Sequence, residues 1–215
     1  MKLHLSFLPV IILLVFSCNQ KPASDKLDAE TYNRYLETGS EVSVEAQSAL
    51  LSHVSGAMKE GGTLDAVEFC NLEASEITDS LDNIYNCTIS RVSAKNRNPQ
   101  NALSTEAEEQ LWEYFLSVHE TEMIHDTVVM GGNQAVYYKP IITAMQACLQ
   151  CHGPKEEIDP ATYTKILELY PEDKATGYGL NELRGLWKIE FDPDEETVMN
   201  RKEKNGLLTG IYRNL

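Results

Sequence analysis

Val128-Val129-Met130-Gly131-Gly132-Asn133-Gln134-Ala135-Val136-Tyr137-Tyr138 sets two β-like runs on either side of a Gly-Gly-Asn turn. β-Branched and aromatic residues suit a pleated surface, and glycine with asparagine supplies the positive φ that tight hairpins use. The stretch predicts an antiparallel hairpin, and with it an antiparallel sheet. Gly185 to Phe191 alternates as a further strand, and Ile84 to Ala94 reads as another. Helices surround them. Ala29 to Lys59 spaces Tyr32, Leu36, Ala46, Leu50, Val54 and Met58 for one apolar face, and Gly61-Gly62 ends it. Thr63 reads as the N-cap of a second helix to about Leu81, with Asp65 in its first turn and Cys70 on its apolar face. Asn96 to Asn101, with Pro99, reads as a loop, and Thr105-x-x-Glu108 is a capping box for a helix to about His119. Asp159-Pro160 opens a last helix to Tyr170. The expected class is α+β, helices packed on a small antiparallel sheet.

Between the hairpin and that last helix stands Ala147-Cys148-Leu149-Gln150-Cys151-His152-Gly153. Cys-x-x-Cys-His is the pattern to which haem c is attached: two thiols three residues apart form thioethers with the haem vinyl groups, and the adjoining imidazole falls beneath the iron. Cys148 and Cys151 are thus read as the attachment residues and His152 as the proximal ligand of one covalent haem c. A thioredoxin-like pair would need a βαβ setting, and a zinc site a second ligand pair at close spacing. The sequence offers neither.

The N-terminus names a matching compartment. Lys2 and the short apolar run Leu5 to Phe16 read as a signal peptide, and Val15-Phe16-Ser17-Cys18 resembles a bacterial lipoprotein signal in which Cys18 is lipidated. Haem c is attached outside the cytoplasmic membrane, so both motifs place the chain on the periplasmic or extracytoplasmic side of a bacterial membrane. The expected organisation is a signal peptide over 1–17, a polar tether over 18–28, the haem c domain over 29–192 and a C-terminal extension over 193–215. Without the signal, 17 basic side chains face 33 acidic ones. Such a charge argues against nucleic acid as a partner; it suits docking to a basic protein patch, and equally it suits solubility alone.

With Cys18 assigned to lipid and Cys148 and Cys151 to haem, Cys70 and Cys87 remain for a sixth iron ligand. In an oxidising compartment the two could instead join in a disulfide, or Cys70 could be an apolar core residue. His125 and Met130, then His119, rank behind Cys70. His53, Met123 and Met145 are further candidates, with Met145 too close to Cys148 to reach the opposite haem face easily.

Five stretches occur in order: Ala66-Val67-Glu68-Phe69-Cys70; Arg91-x-Ser93-x-Lys95-x-Arg97-Asn98-Pro99-x-Asn101; Tyr138-Lys139-Pro140; the Cys148 to Gly153 motif; and Tyr170-Pro171-x-Asp173-x-Ala175-Thr176-Gly177-Tyr178 with Leu183-Arg184-Gly185. Together they resemble a PAS-like monohaem c-type cytochrome family, long catalogued as a domain of unknown function, over residues 30 to 192. Val92 and Ala94 depart from its usual pattern. The resemblance implies a PAS-like sheet with long N-terminal helices, and His152 and Cys70 as axial ligands. Arg91, Lys95, Arg97 and Arg184 lie in these stretches, and guanidinium binds carboxylate in bidentate fashion, so Arg97 and Arg184 are the leading partners for the haem propionates. Tyr137, Tyr138 and Trp187 are candidates to pack on the macrocycle.

A thiolate ligand favours ferric iron and lowers the potential. The expected function is electron transfer by a low-potential cytochrome anchored to the membrane, with a redox protein as partner. The alternative is a redox or gas sensor whose sixth ligand is displaced. An enzyme would need open iron and positioned acid/base groups, and the sequence shows no such constellation.

Overall fold

The computed structural model describes residues 27–72, 74–119 and 124–193. The expected signal peptide, Cys18, most of the tether, Met123 and the extension beyond Pro193 lie outside the described residues.

The first helix, α1 (Ala29–Leu72), is two helical segments joined at Gly61 (φ −137°, ψ 15°) and Gly62 (φ 75°, ψ −155°). The second angle pair is open only to glycine, so the break falls where the Gly-Gly pair placed it. The hydroxyl of Thr63, just past the break, bonds that of Thr162.

The arm that resumes at Thr63 stops at Leu72, and a separate helix, α2 (Ala74–Tyr85), takes up residues assigned to its continuation and to the first strand. Leu81 and Tyr85, one helical turn apart, both bury in the same core, so the helical period wins over the β-forming composition of Ile84 and Tyr85. Asn86 then enters the left-handed region (φ 47°) and releases the chain into β1 (Cys87–Val92).

The hairpin forms as predicted. β2 (Thr127–Gly131) and β3 (Gln134–Ile142) are antiparallel, with Gly131 opposite Gln134 and Gly132 at φ 67° in the turn. β4 (Leu183–Phe191) pairs with both β1 and β3, giving a four-stranded sheet among the described residues, all antiparallel, in the order β1-β4-β3-β2.

Period-two alternation sends side chains to two cores. Cys87, Ile89, Ala135, Tyr137, Trp187 and Ile189 face α1 and α2. Val92, Val136, Tyr138 and Leu186 face α3 (Glu106–His119) through Trp112 and Phe115. Helix α1 lies close on Tyr137 because residue 39 is glycine: a Cβ there would stand 2.2 Å from the ring.

The capping box at α3 also differs from its expected form. Thr105 Oγ1 accepts the Glu108 N–H at 3.2 Å, but the Glu108 carboxylate accepts the Ser104 N–H at 2.7 Å rather than that of Thr105. Its other oxygen turns inward to Lys188 Nζ at 3.0 Å and the Tyr138 hydroxyl at 3.2 Å, so a cap residue doubles as a buried ion pair. Among the described residues no helix is long and apolar enough to cross a membrane.

Candidate functional site

The Cys-x-x-Cys-His motif forms a short helix, α4 (Gln146–His152), that the sequence reading left unassigned. Cys148 and Cys151 are three residues apart on it and share a face. Gly153 closes the helix, its N–H donating to Leu149 O at 2.8 Å, and a Cβ at this position would press to 2.5 Å on that same oxygen.

The segment after α5 (Pro160–Leu169) laps over the helix end. Tyr178 N–H donates to His152 O at 2.9 Å and Gly177 N–H to Gly153 O at 2.7 Å. Gly177 sits at φ 75°, which glycine adopts without strain.

His152 Nδ1 lies 2.7 Å from the Ala175 carbonyl. A carbonyl can only accept, so Nδ1 carries the proton and Nε2 keeps a lone pair, with no hydrogen bond to it among the described residues. Burial, reinforced by the Arg184 and Arg97 cations, holds the imidazole pKa well below its usual value. The ring is therefore neutral and presents the nitrogen that a metal would take.

Three thiols lie within electrostatic reach of one another. Burial pushes the Cys70 thiol up while Arg91 and Arg97 draw it down. Burial also raises the Cys151 thiol, with Arg97 opposing and Cys70 and Cys148 adding to the rise, which puts three thiols in one neighbourhood. Cys70 reaches this place near the end of α1, where its neighbour Asn71 bonds the Tyr170 hydroxyl. No disulfide joins Cys70 to Cys87, and strand alternation turns Cys87 into the core beneath α1 and α2.

The arginines singled out from the sequence are engaged differently. Arg97 pairs with Asp173 (Nε to Oδ1, 3.0 Å) and donates through Nη2 to Cys151 O at 2.6 Å and Ala175 O at 3.4 Å. Arg184 donates to the Lys95 carbonyl at 3.3 Å and stacks on Tyr178, its pKa pushed down to about 10 chiefly by burial. Arg91 projects over Trp187 at 5.8 Å, and Lys95 Nζ sits 4.0 Å above Tyr178.

The remaining candidates stand elsewhere. His53 stacks on Phe69, His119 bonds the Asn181 carbonyl, His125 lines a surface cleft with Leu111 and Tyr114, and Met130 packs against the α1 core. Met145 is exposed at the N-cap of α4. Tyr137, Tyr138 and Trp187 are core residues: Tyr137 bonds Ser43 and Asp126, Tyr138 bonds Glu108, and Trp187 bonds Gln47. The aromatic beside His152 is Tyr178, edge-on at 6.4 Å. Tyr178 and Asp173 both stand in the Tyr170 to Tyr178 stretch, where residue type and spacing give neither a role.

Two half-buried thiols on one helical face, a neutral imidazole with a free Nε2 and a third thiol nearby form a donor set that fits a covalently held, His-ligated haem. Among the described residues no three His, Cys, Asp or Glu side chains converge to hold a bare metal ion.

A family profile described as "Tll0287-like: Tll0287" matches residues 19–191. A solved structure titled "Crystal structure of the cyanobacterial heme-protein Tll0287" superimposes with a TM-score of 0.53 at 24% identity, covering 76% of this chain and 95% of that one. At that identity the likeness bears on the fold, and it agrees with the expected α+β, PAS-like arrangement. No curated protein matches.

Proposed function

The chain belongs to the Tll0287-like family, and from that membership we propose that it is a monohaem c-type cytochrome that transfers single electrons. In this reading it is exported, held to a bacterial membrane through lipid on Cys18, and paired with a redox protein that presents a basic patch. The haem protein named in the structural match and the Cys148-x-x-Cys151-His152 helix both support it. The observation that carries it is the His152 imidazole, neutral and committed through Nδ1 to Ala175, with Nε2 open.

When bound, haem supplies an iron that alternates between ferric and ferrous states. The chain supplies everything around it. Cys148 and Cys151 would give the thioether bonds, and His152 Nε2 and Cys70 would be the protein ligands of the iron. Arg184 is the better placed of the two propionate partners, since its guanidinium donates to the neutral Lys95 carbonyl, whereas Arg97 already has Asp173. Thiolate ligation lowers the potential, and the nearby Arg91 and Arg97 cations temper that effect.

One feature favours the sensor alternative. Cys70 is carried on the arm beyond the Gly61–Gly62 break, apart from the long segment of α1.

Absorption spectra of the haem-loaded chain, oxidised and reduced, with and without carbon monoxide, test both readings once haem is seen to survive denaturation. Low-spin, carbon monoxide-resistant spectra in both states support electron transfer. Loss of a ligand and carbon monoxide binding on reduction replace it with sensing, and absence of covalent haem overturns both.

A further inference from the structure

Three segments far apart in sequence meet around His152: the loop after β1, the α4 helix and the stretch from Tyr170 to Tyr178. Lys174 N–H donates to Asn96 O at 3.0 Å, which joins the first to the third. Asp173 and Arg97 then bind all of them to the histidine. Asp173 Oδ1 accepts the Ala175 N–H at 3.0 Å and the Arg97 Nε–H at 3.0 Å. The same guanidinium reaches the carbonyl of Cys151, the residue before His152, and the carbonyl of Ala175, which His152 itself bonds. The result is a ring closed by four hydrogen bonds and the Cys151–His152 peptide link, running Asp173, Arg97, Cys151, His152, Ala175 and back. The Arg97 and Asp173 side chains are 12% and 1% exposed, so water does not compete for these bonds.

A ring of this kind would be ordinary fold stabilisation but for a conflict at the imidazole. Arg184 Nε stands 3.3 Å from the same Nδ1 that Ala175 O approaches to 2.7 Å. The two neighbours demand opposite tautomers. An N–H from Arg184 is satisfied only if Nδ1 is bare, which moves the proton to Nε2 and blocks a metal there. The Ala175 carbonyl is satisfied only if Nδ1 carries the proton, which leaves Nε2 open. Nothing in the imidazole itself settles this. The position of the Ala175 carbonyl does, and Asp173 and Arg97 fix that position. Among the described residues Asp173 Oδ2 is buried without a partner, a cost that an apolar residue would avoid.

Resting on the haem reading above, we propose that Asp173 and Arg97 are positioning residues for His152: they hold the Ala175 carbonyl against Nδ1, overrule Arg184, and so present Nε2 in a single tautomer and orientation. Metal-bound histidines in general depend on such an outer partner. Here it is a backbone carbonyl whose placement is delegated to an ion pair.

The test uses the full chain with labelled histidine, made with and without the haem-attachment machinery. In the haem-free chain, nitrogen NMR reads the His152 tautomer directly. The wild type is expected in the Nδ1–H form, and Asp173→Ala should raise the Nε2–H fraction about tenfold, the worth of one net hydrogen bond. Adding Arg184→Met to Asp173→Ala should return the Nδ1–H form, a rescue that a merely structural role would not give. In the haem-loaded chain, Asp173→Ala should shift the electron paramagnetic resonance g-values and the midpoint potential. If Asp173→Ala does not fold, Arg97→Gln carries the same expectations. A wild-type tautomer ratio with wild-type g-values in the variant that folds overturns the proposal. A wild-type chain without covalent haem would end the functional reading instead, while the haem-free tautomer ratio still decides the positioning role.

Discussion

In the proposed reading, Cys70 is the residue on which the redox character turns. In the haem-loaded chain, Cys70→Ala should raise the midpoint potential or admit carbon monoxide to the iron, and spectroelectrochemistry with unchanged spectrum and midpoint would remove Cys70 from the iron. Glu108 makes a stability prediction of similar sharpness. Although burial alone would raise its carboxyl, the Ser104 N–H and Lys188 bring it below its usual value, and the same pairing raises Lys188. Stability from Glu108 is therefore present at neutral pH and lost as the pH falls through its folded value, while that from Lys188 is lost only in strong alkali. Glu108→Gln should cost roughly 3 kcal/mol at neutral pH, and in thermal unfolding its deficit against the wild type should narrow in acid. The residues differ in how far they could be read from the sequence. Cys148, Cys151 and His152 declare themselves because attachment chemistry requires those types at that spacing. The partner of His152 is a backbone carbonyl, which leaves no side-chain signature, and the ion pair that places it joins residues 76 apart.

Helix α1 shows how elements are fixed by what they omit. Gly39→Ala would thrust a methyl into the Tyr137 ring, and overpacking of this kind should cost about 1–3 kcal/mol, measurable by denaturant titration. Gly62→Ala meets open space yet is forced into a backbone region closed to alanine, so a loss of similar size is expected there from strain alone. The hairpin and the Gly61–Gly62 break were legible because turn residues act locally. The split between α1 and α2 was not, since Tyr85 suits a strand by type and is drawn into a helix by the core it shares with Leu81. The α3 cap was half legible: Thr105 is where the pattern put it, but Lys188, from a strand 80 positions later, pulls the Glu108 carboxylate inward.

Across the whole molecule, a chain with 33 acidic and 18 basic side chains collects Arg91, Arg97 and Arg184 around one histidine. The acidic excess is left to the surface, so electron exchange with a basic partner should slow as ionic strength rises, and stopped-flow rates at several salt concentrations measure the slope. A rate indifferent to salt would remove the basic docking patch from the reading. The lapping of residues 170–178 over α4 also has a bearing on assembly. The carbonyl that completes the His152 setting lies 23 residues further along the chain. If the chain is exported as proposed, threaded through a membrane from its N-terminus, the two thiols reach the far side before the loop that laps over the end of their helix. The order of emergence would thus give a maturation enzyme its interval of access, with no door in the finished protein needing to open.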